Sequence, residues 1–555
     1  MKRNPGRWSL ALTVLLLLVL ILGPLAMIFA RAAMPDGALD LGYALRTITQ
    51  GDNLRAVLNS LVLAVCVVLL SSLIALPLAW LLARTDIGRH RWLDVVLMIP
   101  FMTPPYIASM GWILFMQKRG LFQQLFPFTG AWSQQFFSFF GLVLVMSLHI
   151  FPFMMTVMKN AIRNVPASLE ESGAVFGAGV GARMRRILMP LLTGNYAVGC
   201  LLVFVKTLSE YGTPATLGRR IGFDVFTTYI HRYATTAPVD FSRAASLSAV
   251  LVGICMLAWL LQTRVTARHT YPLVGGKGAR RKIVHLKKGY RALSWGYVAL
   301  VLLVSIGVPY FATVATSLIR LRGYGLAAGN FTLQHYMDLF TANIKGTQAL
   351  RNSMVLAVVS ASLAAVLGTA VILLGRARSR RTARAVEGLA LLPQMLPSIV
   401  LVIGMILFWN GIYRLVPLYN TPGIMVVAYV ALFLPYSVQY VGSAYGQVGQ
   451  SLAQAGRVLG GSPRYVLGRI TLPLIAPGIL SGWMMTFIIA FRELVTASLI
   501  APPNFLVVST YIMREFEQGS VSMGMAMAVL CVLISTGSLL IVNWLSAKGR
   551  PAQST

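Results

Sequence analysis

Ionisable residues interrupt two otherwise apolar stretches of the sequence and are the first candidates for chemistry. Lys206 and Glu210 lie in FVKTLSEYGTPATL, and Arg492 and Glu493 lie in FIIAFRELVTASLI. Charged side chains within membrane-length apolar stretches are costly and usually functional. Lys206 and Glu210 are four residues apart, so on a continuous helix they could pair on one face. This structural interpretation stays open beside a role in binding a substrate.

The residue types that most often bind metals or act as nucleophiles show no motif. The cysteines lie at unrelated spacings inside apolar segments, which indicates neither a disulfide framework nor a zinc site: Cys66, Cys200, Cys255 and Cys531. The six histidines form no H-x-x-x-H pattern. We therefore expect no catalytic residue, no firm metal site and no cofactor bound by this chain. An intramembrane enzyme would need a nucleophile and base or a metal constellation.

The composition indicates what kind of structure must position these residues. Of 555 residues, 57% are hydrophobic and only 11% are charged, far from the range of soluble globular proteins. Crossing a hydrocarbon core takes about 20 apolar residues, and we predict twelve such spans: 8–30, 59–83, 92–116, 141–158, 191–215, 245–262, 295–319, 352–375, 386–412, 423–442, 474–500 and 523–545. The first is interpreted as a retained anchor because no A-x-A cleavage pattern follows it.

The strong positive charge is a topological signal. The net charge is +32, and most Lys and Arg residues fall in alternate loops, near residues 84–91, 159–186, 264–291, 376–384 and 457–469. By the positive-inside rule these loops, and both termini, are predicted to be cytoplasmic. The charge therefore does not indicate nucleic-acid binding.

The sequence contains a tandem repeat. NSLVLAV at Asn59 returns as NSMVLAV at Asn352, GWILF at Gly111 returns as GMILF at Gly404, and Glu210 corresponds to Glu493. The predicted fold is an all-α polytopic membrane protein of two six-helix halves, 1–262 and 295–555, related by a pseudo-two-fold axis along the membrane normal. The basic linker 263–294 would join them; it could bind anionic lipid headgroups, although a tether needs only to be polar.

Prolines recur inside equivalent spans of the two halves. They are Pro100, Pro104 and Pro105 in the third span, and Pro393 and Pro397 in the ninth. Proline removes a backbone donor and bends or breaks a helix. We expect both spans to be bent.

A polar, glycine-containing loop also occurs twice, each time between the fourth and fifth spans of a half. Residues 170–190 read EESGAVFGAGVGARMRRILMP, and residues 454–473 read QAGRVLGGSPRYVLGRITLP. Each copy predicts two short helices joined by a glycine turn, since glycine adopts the positive φ that ends a helix. Ser462 and Pro463 would cap and start the last helix. A polar hairpin repeated on the inner face is a docking surface.

At these loops the sequence resembles the EAA loop of permeases from binding-protein-dependent ABC importers. The matching positions, in coupling loops 165–190 and 448–473, are Glu171, Gly177, Ile187 and Pro190, then Gln454, Gly460, Ile470 and Pro473. Departures are Ser172 and Gly173 in place of the alanine pair, Met189 in place of Leu, and Gln454 in place of the acid. They put equal coupling by the two halves in question.

The resemblance implies a type I ABC importer permease in a bacterial inner membrane. Its coupling helices would sit in clefts of an ABC ATPase homodimer, which binds ATP and Mg, and a periplasmic binding protein would deliver the substrate. The chain has no G-x4-G-K-[ST] loop of its own, so the hydrolysis is expected on separate subunits. No nucleic-acid partner is expected.

The closest resemblance in layout is to the ferric-iron branch, so ferric iron is the expected substrate. Aminoethylphosphonate, thiamine, sulfate and polyamines are the alternatives that the resemblance leaves open. Glu210, Tyr211 and Glu493 could line the translocation path, because oxygen ligands suit hard cations, and the two acids would then face each other across the axis. These acids could instead only shape their helices.

An ion-coupled secondary transporter also commonly has twelve spans in two halves. A proton relay usually needs chains of acids or histidines within the membrane, and Glu210 and Glu493 are the only acids well placed for one. The paired loops therefore favour the importer.

Overall fold

The computed structural model describes residues 5–35, 37–40, 42–268, 283–448 and 450–548, and the elements in this part of the chain are helices and two isolated β-bridges. Ten helices are long and apolar enough to cross a membrane: Trp8–Ala33, Asn53–Arg84, Phe139–Asn164, Gly181–Ser209, Phe241–Val265, Lys288–Leu318, Ile344–Arg376, Pro422–Gln447, Pro463–Phe491 and Val521–Ser538. Two bent helix pairs bring the number to as many as twelve. We number these twelve segments as spans 1 to 12 in chain order; they confirm the predicted all-helical fold.

Spans 3 and 9 are the bent pairs, as the prolines predicted. Trp92–Met102 meets Pro105–Met116 at 87°, and Arg380–Met395 meets Ser398–Gly411 at 108°. The residues at the breaks, Thr103 and Leu396, have extended backbones and directly precede Pro104 and Pro397. A residue before proline avoids the helical conformation because it would clash with the proline ring.

Shorter helices connect the spans. They are Tyr43–Thr49, Asp86–Arg89, Leu121–Leu125, Gly130–Phe136, Ala167–Val175, Pro214–Gly218, Phe226–Thr235, Arg322–Tyr324, Gln334–Thr341, Gln450–Val458, Val495–Ile500 and Val508–Glu517. Spans 5 and 11 end earlier than predicted, at Ser209 and Phe491. The predicted continuous helices to residues 215 and 500 are therefore wrong.

The chain forms two compact units. One comprises residues 1–47, 230–249 and 332–555, and the other comprises residues 48–229 and 250–331. Each unit thus contains the first span of the opposite sequence half. The boundaries 1–262 and 295–555 stay a prediction about the sequence copies. Of the linker predicted at 263–294, residues 269–282 lie outside the described part, whereas residues 263–268 and 288–294 belong to the helices Phe241–Arg268 and Lys288–Leu302.

The recurring GWILF and GMILF motifs mark where each unit holds its exchanged span. A Cβ on Gly111 would lie 2.5 Å from the carbonyl oxygen of Pro309 in span 7, and a Cβ on Gly404 would lie 2.4 Å from that of Pro24 in span 1. Such distances are shorter than any side chain tolerates. The glycine in each bent span is therefore required for close approach of the exchanged helix.

In the first of these units, side chains from span 1 complete a core made by the second half. Leu17 and Ile21 pack with fully or almost fully buried residues of spans 8, 9, 10 and 11, among them Val371, Leu434 and Ile475. Burying such apolar side chains is the main stabilising contribution available between these helices once they are assembled. The exchanged span is therefore an integral part of the unit.

Candidate functional site

The two predicted loops fold as helical hairpins. Hairpin 1 has helices Ala167–Val175 and Val180–Arg183, and hairpin 2 has helices Gln450–Val458 and Pro463–Val466. In hairpin 2 the Ser462 hydroxyl accepts a hydrogen bond from the Tyr465 amide, and Pro463 is the first helical residue. The predicted helix, glycine turn and cap are confirmed.

The glycines of the motif make the turn in the same way in both copies. Gly177 has φ of 78° and Gly460 has φ of 84°. The amide after each glycine donates back to a carbonyl five residues earlier, Ala178 to Gly173 and Gly461 to Gly456, both at 2.9 Å. This is the Schellman arrangement, which needs a left-handed residue at the helix end.

The isoleucines of the motif hold the two helices of each hairpin together. A Cβ on Gly173 would lie 2.7 Å from Cδ1 of Ile187, and a Cβ on Gly456 would lie 2.6 Å from Cδ1 of Ile470. The glycine that replaces alanine at Gly173 is therefore repeated at Gly456, and in each copy it leaves room for the isoleucine side chain. The spacing between glycine and isoleucine in the motif thus corresponds to a packing contact between the two helices of the hairpin.

The prolines of the motif follow a widened helical turn. Met184–Leu188 and Leu467–Thr471 are π-helical, so Met189 donates to Met184 and Leu472 donates to Leu467, five residues back. Pro190 and Pro473 come next and have no amide hydrogen to donate. The turns join each hairpin directly to spans 5 and 11, so a hairpin and its following span form one continuous element.

Glu171 and Gln454 are exposed on their hairpins. The preceding residue, Glu170, is instead buried and its Oε1 lies 3.0 Å from Nη2 of Arg84. The motif spacing drew attention to Glu171 alone, and nothing in a single sequence distinguishes which of two adjacent glutamates turns inward.

Sequence reasoning also missed the hairpin tips. The two residues before each turn glycine are large, apolar and exposed: Val175 and Phe176 are 84% and 89% exposed, and Val458 and Leu459 are 85% and 87% exposed. The recurring VFG and VLG triplets were the available signal. An exposed apolar pair repeated at the same place in two copies is typical of a surface that contacts another protein or the membrane.

The structure corrects the interpretation of the two half-buried glutamates. Helix Met189–Ser209 ends before Glu210, so Lys206 and Glu210 do not share a continuous helix face. The Glu210 carboxylate accepts hydrogen bonds from the Thr213 amide at 3.0 and 3.1 Å, and its own carbonyl accepts one from Thr227 Oγ1 at 2.9 Å. Its carboxylate therefore caps the next short helix.

Glu493 does the same in the second copy. Its carboxylate accepts hydrogen bonds from the amides of Val495 and Thr496 at 3.1 and 2.8 Å, and its carbonyl accepts one from Ser509. A break within a membrane exposes backbone amides that must be satisfied by the protein. The helix-shaping alternative is thus supported for both acids; Tyr211 is buried directly after the first break.

The acids at the start of the bent spans are paired with cations of other spans. Lys159 Nζ donates to Asp94 Oδ1 at 2.8 Å, and Arg376 Nε donates to Glu387 Oε1 at 2.7 Å. The cations come from neighbouring spans, which the linear sequence could not identify.

Among the described residues, no group of three or more His, Cys, Asp or Glu side chains is arranged to hold a metal ion.

Comparisons with known proteins agree with a helical membrane chain made of two copies. Residues 75–271 and 363–550 each match the family described as binding-protein-dependent transport system inner membrane component. The chain is 24% identical to the ferric transport system permease protein FbpB of Actinobacillus pleuropneumoniae, in an alignment that covers 98% of this chain and 78% of that relative. It is also 24% identical to the Fe(3+)-transport system permease protein FbpB 2 of Haemophilus influenzae, with 96% of this chain and 97% of that relative covered. A shorter alignment, which covers 37% of this chain and 90% of the relative, is 29% identical to the molybdenum transport system permease protein ModB of Escherichia coli. The chain therefore belongs to the inner membrane components of binding-protein-dependent transport systems, with two copies of the family's domain fused in one polypeptide.

Proposed function

We propose that this protein supplies both membrane-spanning halves of the permease of an ATP-driven importer, and that its two hairpins receive an ABC ATPase homodimer. The observation that carries this proposal is the pair of hairpins with the same turn, the same glycine and isoleucine contact, and the same exposed apolar tip. Because each hairpin runs directly into a span, force applied at a tip would reach the membrane segment.

The apolar tips supply the binding energy of this docking. Covering a large apolar side chain contributes about 1.5–3 kcal/mol, and each hairpin offers two such side chains. ATP and Mg would bind the partner subunits. The basic residues near the hairpins, such as Arg183, Arg185 and Arg186, support a cytoplasmic position of the hairpins and of both termini by the positive-inside rule.

The translocation path would follow the two helix breaks after spans 5 and 11. Irregular backbone at membrane depth is tolerated where it is buried in protein or lines a cavity, and substrate sites in transporters commonly use such breaks. Glu210, Tyr211 and Glu493 are at these breaks. Each carboxylate then caps the backbone amides at the break, and the lone pairs of its oxygens that accept no hydrogen bond could coordinate a passing cation.

Ferric iron is the proposed substrate, delivered by a periplasmic binding protein. The relatives that match nearly the whole chain are named ferric transport permeases, whereas those named for molybdenum or sulfate match between 37% and 46% of it. Oxyanions are the second candidate. Cells that express the full transporter should accumulate radioactive ferric iron, and excess molybdate or sulfate should not compete.

The docking proposal is tested by ATP hydrolysis of the chain co-purified with its ATPase in lipid. A Gly177→Asp, Gly460→Asp variant should lose this activity, because aspartate strains both left-handed turns at the docking surface. Gly179→Asp with Gly468→Asp is the control, since Gly179 in the turn of hairpin 1 and Gly468 in the π-helical segment after hairpin 2 have no positive φ and no neighbour within 4 Å. Uptake driven by a proton gradient without any ATPase would instead support a secondary transporter.

A further inference from the structure

The helix before each bent span ends on an arginine, and the two arginines have different partners. Arg84 closes span 2, where its Nη2 lies 3.0 Å from Glu170 Oε1 and donates to the Val165 carbonyl at 3.1 Å. The Arg84 and Glu170 side chains are 3% and 11% exposed. Span 2 is thereby attached to both the entry and the first helix of hairpin 1.

Arg376 closes span 8 but turns to the bent span instead. Its Nε donates to Glu387 Oε1 at 2.7 Å, and its Nη1 donates to the Gly442 carbonyl in span 10 at 3.3 Å. These contacts join spans 8, 9 and 10 to each other. None of these groups belongs to hairpin 2.

The difference follows from substitutions between the copies that include the arginines themselves, since at the offset that relates Asn59 to Asn352, Arg84 corresponds to Ala377 and Arg376 corresponds to Ala83. In the first copy Asp94 is paired with Lys159, so Arg84 is available for Glu170. In the repeat, Gly442 stands at the position of Lys159 and Ala453 at that of Glu170.

The first copy therefore has two cations and two acids, and the second has one of each. Both sets are balanced, as expected because an uncompensated buried charge is strongly destabilising. The first copy has a charge pair to attach its hairpin, and the second copy has an alanine in that place.

The described end of the interhalf linker reinforces the first attachment. The Val284 amide donates to the Arg84 carbonyl at 2.7 Å, and Arg291 Nε lies 3.7 Å from Asp86 Oδ2. The segment that enters span 7 is thus bound to the same helix end that holds hairpin 1.

We propose that Arg84 is a positioning residue that fixes hairpin 1 to span 2, so that the two hairpins respond unequally to the ATPase. Hairpin 1 is then held to span 2 as well as to span 5, whereas the described residues of hairpin 2 have no equivalent ion pair and follow span 11. This inference rests on the proposed docking of an ATPase at both hairpins, and it assigns that coupling mainly to the first copy.

The test begins with amide hydrogen exchange of the full-length chain in nanodiscs, with and without ATPase. In an Arg84→Met, Glu170→Met variant, which removes both charges together, the amides of Ala167–Val175 should exchange roughly tenfold faster while those of Gln450–Val458 do not change. The control, Arg376→Met with Glu387→Met, should leave both hairpins unchanged. Unchanged exchange in hairpin 1 would overturn the attachment.

The ratio of ATP hydrolysed to substrate transported is the second readout. It should rise in Arg84→Met, Glu170→Met and stay unchanged in the Arg376 control. Faster exchange with an unchanged ratio would refute the positioning role while docking still holds. Changed exchange together with a chain that binds no ATPase would refute the docking and leave only the attachment.

Discussion

The exposed tips of the hairpins allow the docking proposal to be tested by binding alone. Phe176 and Leu459 are 89% and 87% exposed, so replacing both with serine removes no contact within the chain's core. We therefore expect the Phe176→Ser, Leu459→Ser variant to fold and to melt at the wild-type temperature.

The size of the expected effect follows from the area that a partner would cover. Fully burying each side chain contributes about 1.5–3 kcal/mol, and incomplete burial at a tip brings the loss for the pair to about 3 kcal/mol. Since 1.4 kcal/mol corresponds to a tenfold change in affinity, the variant should bind the ATPase roughly 100-fold more weakly.

The assay is biolayer interferometry between nanodisc-embedded permease and purified ATPase. Phe128→Ser is the control, because Phe128 is 86% exposed but lies in the loop between spans 3 and 4. Equal affinity of the wild type and the tip variant, or an equal loss in the control, would refute the assignment of the tips as the docking surface.

Three further outcomes are expected. Gly111→Ala and Gly404→Ala should each lower the free energy of unfolding by about 1–3 kcal/mol, because the added methyl group meets a proline carbonyl. The control Gly253→Ala should not lower it, since Gly253 has no neighbour within 4 Å. Equal melting temperatures of all three variants would contradict the close approach. Glu210→Ala and Glu493→Ala should each cost about 1 kcal/mol as lost caps, whereas glutamine, which keeps an acceptor oxygen, should preserve stability. If the Glu210→Gln, Glu493→Gln double variant kept full uptake, these acids would have no part in the path.

Several features of the fold and the site could be predicted from local sequence alone. Long apolar segments predicted the spans, since a membrane requires continuous helices of fixed length. Proline predicted the bends in spans 3 and 9 because it acts on its own neighbourhood. The repeated glycines predicted the hairpin turns at Gly177 and Gly460 for the same reason, since a positive φ is a local requirement.

Other features depended on residues far apart in the chain. The sequence by itself determined a duplicated, helical membrane protein with a hairpin in each copy. Only the tertiary structure decided that Glu210 and Glu493 cap helix breaks, that Glu170 rather than Glu171 turns inward to Arg84, and that spans 1 and 7 are exchanged between the units. The physical reason is that pairing and close approach depend on which helices become neighbours, and no periodicity within one segment records that choice.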